Sequence, residues 1–379
     1  MLILKMLLYI GKLSKVVFMN FRFHPILITV TLFIFLNPYL SFTQVKKASV
    51  DVDTDFLLPD KIILCGETIP LSDPWTWEML DRELTIAIWN KEQTFMYLKR
   101  AGRYFPYLEK KLSQKNMPND LKYLTVAESS LLPHAKSSQG AVGIWQFMPE
   151  TGKKFNLRSD KYIDERRDLE ESTEAALNYL KKLKEIFGNW SLALAAYNCG
   201  ETRIKKEIED QKEKDFYNLK LPNETERYIF RIIAIKIILE NPEAYGYQVP
   251  EVKIYKPIKC DTTKVNIKKR IHITDFAKAI GTSFKVIRYL NPKLIDDFLP
   301  IGVYNLNTPS GTGEKTLEVL QSLTSRSSSY EGLSKHYVVQ QGDTLTGISM
   351  KTGVSLDQLI KINNLKGTII KVDDLLSLE

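Results

Sequence analysis

An abrupt change of texture near residue 250 constrains this chain of 379 residues more than any other feature. Upstream, from about 77 to 245, apolar residues recur at helical spacing. Leu80, Leu84, Ile88, Phe95 and Leu98 form one such stripe, predicting a helix over residues 77–99. Pro118-Asn119-Asp120 opens a second helix that runs into Ala127-Glu128-Ser129. Asp168, with Glu171 three residues on, has the form of a capping box. The helix it starts carries Ala175, Ala176, Tyr179, Leu180, Leu183 and Phe187 on one face, and Gly188 ends it. Residues 192–198 form another. A last helix begins at Pro222, turns Ile229, Ile232, Ile233 and Ile237 inward, and stops at Asn241-Pro242. This segment is long enough to bury a core of its own.

Downstream, short β-like runs alternate with single short helices, and the sequence repeats itself: residues 273–291 match residues 345–363 at an offset of 72. Gly281 pairs with Gly353, Ser283 with Ser355, Ile287 with Leu359 and Asn291 with Asn363. Each copy reads helix, Gly-centred turn, capped helix, then Asn. Between the copies, residues 309–313 and the serine run 322–329 have the composition of a flexible tether. The expected organisation is a signal or anchor at 1–43 and an N-terminal segment at 44–76. A helical domain at 77–245 and a middle module at 250–310 follow, then a linker at 311–334 and a last module at 335–379.

Residues 25–40 form an apolar run too short for a typical membrane span, preceded by Arg22 and followed by Ser41 and Thr43. Those are the parts of a secretory signal, and residues 19–43 alone have its proportions. An uncleaved anchor helix is the other reading, and it would allow membrane association. Either places the rest of the chain outside the cytoplasm. The net charge of +8 weakens accordingly. Residues 1–43 carry four basic residues and no acid, so a chain cut there keeps half of that charge. That mild excess suits an anionic polymer and gives no sign of nucleic-acid binding. Three scattered cysteines exclude a disulfide scaffold. Four distant histidines, with no H-E-x-x-H pair, give no metal site.

The residues that carry chemistry lie in the helical segment. Glu128 sits at a helix end among Val126, Ala127, Leu131 and Leu132. Apolar surroundings disfavour a carboxylate and raise its pKa, as a general acid at neutral pH requires. The run Ser137 to Pro149 holds Gly140 and Gly143, which let backbone approach a ligand closely, beside Trp145 and Gln146. An aromatic and an amide together suit a sugar, whose flat faces stack and whose edges take hydrogen bonds. Tyr197-Asn198 before Gly200, and Glu224 with Tyr228 one turn on, complete the set.

In this order and at this spacing these motifs resemble a known family. The pairs and runs are Glu128-Ser129, the stretch from Ser137 to Thr151, Asp164-Glu165-Arg166-Arg167-Asp168, Ala195 to Gly200, and Leu221 to Tyr228. They are similar to the lytic transglycosylases of goose-lysozyme-like fold, in their membrane-bound type D branch, over residues 81–240. Cys199, where alanine is common, and Ile144, where leucine is common, are small departures. The last module resembles LysM, a β-α-α-β unit that binds N-acetylglucosamine-containing glycans. Its signature runs from His336 through Gly342-Asp343-Thr344 to Asn363-Asn364-Leu365. The middle copy lacks the Gly-Asp-Thr opening and is a degenerate LysM-like module.

The resemblance implies a mainly α, lysozyme-like catalytic domain followed by a small α+β LysM domain. It implies a monomer in the periplasm that cleaves the β-1,4 bond between N-acetylmuramic acid and N-acetylglucosamine in peptidoglycan, without metal or cofactor. Glu128 would be the single acid/base. Ser137 would bond near Glu128 and the acetamido group, and Gln146 and Met148 would line the cleft. Tyr197 and Asn198 would lie close to the reacting centre, Tyr228 would bind substrate, and Glu224 would bind toward the peptide or order the cleft. Gly342, Asp343, Thr344, Asn363 and Asn364 would contact glycan. Two rivals use the same fold: a hydrolytic muramidase, with Glu150, Asp164 or Asp168 as second acid, and a non-catalytic glycan-binding scaffold. A cross-link peptidase would need a Cys/His, Ser/His or zinc arrangement that the sequence lacks.

Overall fold

The computed structural model describes residues 58–326 and 336–378. The expected signal or anchor at 1–43, and residues 44–57 of the segment after it, lie outside these residues. Among the described residues no helix is long and apolar enough to cross a membrane.

The helical domain opens with a small hairpin, β1 (Ile63–Leu64) and β2 (Glu67–Thr68). Helices α1 (Pro74–Trp89), α2 (Lys91–Gln114) and α3 (Lys122–Ser129) follow. Then come α4 (Pro149–Lys154), α5 (Leu169–Phe187), α6 (Trp190–Cys199), α7 (Glu201–Gln211) and α8 (Asn223–Glu240). The single helix expected over residues 77–99 is two, broken at Asn90, whose ψ of 64° is not helical. The apolar stripe runs through the break because both helices bury it. The carbonyls freed at the end of α1 find other donors: Thr94 Oγ1 to Ala87 O at 2.7 Å, and Tyr247 Oη to Ile88 O at 2.7 Å.

Helix α5 starts as read, with Asp168 Oδ1 accepting from the backbone N–H of Glu170 and Glu171, and stops at Gly188 (φ +79°). Helix α8 is buried almost all round and packs against α1, α3 and α6. Its Ile229, Ile232, Ile233 and Ile238 are fully buried, each contributing about 1.5–3 kcal/mol of hydrophobic stabilisation. It is therefore the axis on which the other helices, and the residues they carry, are positioned.

The middle module pairs β3 (Cys260–Ile267) with β6 (Gly302–Pro309) antiparallel, from Cys260 opposite Pro309 to Ile267 opposite Gly302. Between them lie β4 (Ile271–His272), α9 (Ile273–Ile280), α10 (Phe284–Leu290) and β5 (Phe298–Leu299). Helix α11 (Gly313–Arg326) follows, so the flexible linker expected at 311–334 is corrected over most of its length. The tether reading weighed the serines and missed the stripe of Val319, Leu320 and Leu323, which packs on the module's core. Asp261 fixes the start of α11 by accepting from the N–H of Gly311 and Gly313. Residues 327–334 lie outside the described residues.

The last module pairs β7 (His336–Val338) with β8 (Leu375–Ser377) around α12 (Leu345–Thr352) and α13 (Leu356–Ile362). The repeat is structural in detail. Ile273, Phe276 and Ile287 fill the core of the middle copy, and Leu345, Ile348 and Leu359 that of the last. In both, the repeated Asn clamps the final strand to the second helix. Asn291 Nδ2 donates to Ile287 O and Asn307 O, and its Oδ1 accepts from Asn307 N. Asn363 makes the same three bonds to Leu359 O, Ser377 O and Ser377 N.

Candidate active site

Glu128 lies in the last turn of α3, which ends abruptly because Ser130 and Leu131 both adopt left-handed backbone, φ +57° and +60°. Two consecutive non-glycine residues in that region are strained, so the turn needs external support. Arg100 of α2 supplies it by donating to Ser130 O at 3.0 Å, and Gln93 donates to Ser130 Oγ. Buried Ser129 donates to Ile144 O at 2.9 Å, stapling the helix end to the glycine-rich loop.

That loop folds as a tight double bridge, Val142 pairing with both Lys136 and Phe147. Gly143, at φ +87°, passes so close to the next segment that a Cβ there would sit 1.8 Å from Arg166 O. Arg166 is the buried hub. Its guanidinium is bidentate to Asp164 at 2.8 Å and donates to Gly140 O and Phe147 O at 3.1 and 3.2 Å. The D-x-R-x-D run thus shapes the loop, a role that the sequence offered as a motif without a function.

Trp145 is a correction. Expected to stack on a sugar, it is fully buried, and its indole N–H donates to Thr173 Oγ1 at 2.9 Å. Its carbonyl faces the other way and accepts from Tyr197 Oη at 2.8 Å. The Tyr197 ring is one of a series, with ring centroids 5.4 Å from Tyr179 and 6.4 Å from Phe147.

Tyr228 of α8, buried, donates its hydroxyl to Glu128 Oε1. Glu128 itself keeps partial surface access, yet protein crowds its carboxyl. Burial, opposed by the Tyr228 hydrogen bond and by the positive charge of Arg231, raises its pKa from an ordinary 4.5 to about 7. Glu224 adds a smaller push in the same direction as burial. The carboxyl is therefore partly protonated at neutral pH. Burial and the Glu128 charge hold the Tyr197 and Tyr228 phenols neutral, their pKa values well above the ordinary one.

The remaining expected residues are spread around this centre. Asn198 Oδ1 accepts from Thr225 Oγ1 at 2.9 Å, tying the end of α6 to the start of α8. Glu224 is exposed and paired with Arg231 at 3.0 Å. Buried Glu83 of α1 holds Arg227 at 2.7 Å and Arg231 at 3.8 Å. Met148 is exposed at the start of α4. Gln146 spends its amide donors on Gly143 O and Ala135 O. The Ser137 hydroxyl oxygen accepts from Ala141 N, closing its own turn, where a bond near Glu128 was expected. Of the second acids considered for hydrolysis, Asp164 is committed to Arg166, and Asp168 to Lys293 and the cap of α5. Arg100, Glu83 and Arg231 were not legible in the sequence: single charged residues on helices carry no signal of their partners.

In the last module, Asp343 accepts from Tyr337 Oη and Gln340 N at 2.8 Å each and pairs with Lys351. Those bonds hold its pKa down at about 2. Thr344 caps α12 through Gly347 N at 3.0 Å. Asp343, Thr344 and Asn363 therefore hold the module together from within. Gly342 and Asn364, both at positive φ, are exposed.

Fold and site together define a lysozyme-like glycan-cleaving centre joined to a LysM unit. The family model described as the transglycosylase SLT domain matches residues 106–220, and that of the LysM domain matches residues 337–378. The membrane-bound lytic murein transglycosylase D of Escherichia coli K12 is 31% identical over 322 residues, covering 78% of this chain and 70% of that protein. The same protein of Escherichia coli O6:H1 matches equally. Solved soluble lytic transglycosylases align over smaller parts. That of Escherichia coli has a TM-score of 0.26 and 24% identity over 37% of this chain and 23% of its own. That of Pseudomonas aeruginosa has a TM-score of 0.29 and 24% identity over 40% and 26%. The chain belongs to the lytic murein transglycosylase family.

Proposed function

We propose that this peptidoglycan lytic transglycosylase uses Glu128 as its single acid/base to cleave the bond between N-acetylmuramic acid and N-acetylglucosamine. The observation that carries the reading is a partly exposed carboxyl with a pKa of about 7, held by the Tyr228 hydroxyl. Protonated Glu128 gives its proton to the glycosidic oxygen as the C1–O bond breaks and the electron pair leaves with that oxygen. The 2-acetamido carbonyl supports the electron-poor C1. Glu128, now a carboxylate, takes the proton of the muramyl C6 hydroxyl, whose oxygen closes on C1. The product is a 1,6-anhydromuramyl end, and Glu128 returns to its starting state.

Because the ring's own hydroxyl is the nucleophile, neither a water nor a second carboxylate at the spacing of ordinary glycosidases is needed. Asp164 and Asp168 are committed elsewhere, which leaves exposed Glu150 of α4 as the one second acid considered that hydrolysis could use. Tyr197 and Asn198 would border the reacting sugar, Gln146, Met148 and Ser137 the glycan beside it, and Glu224 the attached peptide. The LysM module, with Gly342 and Asn364 as its open contacts, would raise the local concentration of glycan at the cleft. The enzyme works at the cell envelope. A signal or anchor in residues 1–43 would deliver it to the periplasm as a monomer and, if retained, hold it at the membrane.

Mass analysis of muropeptides released from purified sacculi tests the reading. Ends lighter than a reducing end by one water support it. Reducing muramyl ends would make the protein a muramidase, and binding without release would make it a scaffold.

A further inference from the structure

The D-x-R-x-D run touches no reacting atom, yet it is gripped from both sides. On one side Arg166 holds the loop carbonyls of Gly140 and Phe147. On the other stands the middle module. Lys293, in the loop after α10, is only 1% exposed, and its ammonium lies 2.7 Å from Asp168 Oδ2. Its carbonyl accepts from Asp164 N at 2.8 Å, and Ile295 N donates to Tyr162 O at 3.0 Å. Ile163 bridges to Leu294 and, fully buried, is part of the middle module's core. A lysine this deep persists only with its partner in place, so the pairing fixes register between the two units.

A second contact lies on α2. Tyr255 N donates to Lys99 O at 2.9 Å, and its ring lies under Lys99 and Arg103 at 4.7 and 5.1 Å. Arg103 donates to Tyr289 Oη at 3.0 Å. Gly102 leaves room for Ile254, whose Cγ2 would lie 2.2 Å from a Cβ there. Between these contacts on α2 stands Arg100, which supports the strained turn after Glu128.

The repeat sharpens the contrast. At the offset of 72, Asn364 and Leu365 of the last module correspond to Pro292 and Lys293 of the middle one. In the last copy Asn364 is exposed and Leu365 packs on its own module's core, whereas in the middle copy Lys293 is buried against Asp168 of the helical domain. We propose that the middle module is a brace for the active-site loop, with Lys293 as its positioning residue, and not a second glycan-binding unit. The proposal rests on the reading of Glu128 as the reacting carboxyl.

The test is Lys293→Met in the full chain. Turnover of a short soluble glycan should fall by about 10- to 100-fold in kcat, because small displacements at a reacting centre cost that much, with KM within about twofold. Sacculus binding should not change, and amide hydrogen exchange of Gly143 and Phe147 should rise. Unchanged kcat and unchanged exchange in a folded variant would overturn the brace, as would lost sacculus binding at unchanged kcat. If the variant does not fold, exchange in the wild-type chain decides. The amides of Asp164, Ile295, Gly143 and Phe147 should open as one unit, within about threefold of each other. Interface amides that exchange far faster than the loop would overturn the proposal. An inactive wild-type chain would count against the Glu128 reading alone, since the exchange measurement needs no turnover.

Discussion

Replacing Glu128 by Gln should move activity and stability in opposite directions. A carboxyl whose pKa is about 7 in the folded chain, against an ordinary 4.5, binds its proton more tightly in the native state. Below about pH 4.5 both states are protonated and the group is neutral to folding. Between about pH 4.5 and about pH 7 the unfolded chain ionises and the native one does not, so wild-type stability falls by about 1.4 kcal/mol per pH unit. Above about pH 7 the accumulated loss is roughly 3 kcal/mol, an upper bound because the side chain keeps some solvent access. Glutamine has nearly the same shape, still accepts from Tyr228 and never ionises. Glu128→Gln should therefore match the wild type near pH 4 and exceed it increasingly toward about pH 8. Urea unfolding followed by tryptophan fluorescence across that range reads the difference as a shift in midpoint at constant slope. The same variant should keep sacculus binding and lose about 10²- to 10⁴-fold in turnover. A stability difference that does not grow with pH would refute a buried, proton-retaining carboxyl, and turnover above a few hundredths of wild type would refute the single-acid mechanism.

Three further outcomes follow from the same geometry. Tyr228→Phe removes a hydrogen bond that favours the Glu128 carboxylate, so its pKa should climb further. The alkaline limb of the pH profile of kcat/KM should then move up by about one unit, and an unmoved or lowered limb would contradict the assignment. Gly143→Ala drives a Cβ into Arg166 O at 1.8 Å, whereas Gly140→Ala meets nothing within 4 Å and carries backbone strain alone. Thermal unfolding should show a loss of about 1–2 kcal/mol for Gly140→Ala and a clearly larger one, with loss of turnover, for Gly143→Ala; equal losses would mean the loop does not press on Arg166. Asn363→Ala should release the Ser377 amide to fast hydrogen exchange and abolish module-dependent sacculus binding, while Asn364→Ala should weaken binding with Ser377 still protected. Retained protection in Asn363→Ala would refute the clamp.

Local pattern decided much of this protein without help from the fold. The stripes of α5 and α8, the caps of α5 at Asp168 and Gly188, and the repeat with its paired Asn291 and Asn363 are readable because period, cap and turn residues are short-range properties. Glu128 in apolar company announced a perturbed carboxyl for the same reason. What the sequence could not decide were matters of what packs against what. Only tertiary structure broke the first long helix at Asn90, where Thr94 and Tyr247 take up the freed carbonyls. Only it buried Trp145 with its indole on Thr173, and turned residues 313–326 from a serine-rich tether into a helix on an apolar core. Tyr228 reached Glu128, Arg166 reached Gly140 and Phe147, and Lys293 reached Asp168 across long stretches of chain. A side chain carries its charge and shape in the sequence, but which partner satisfies it is fixed when helices from distant segments close on one another and exclude water.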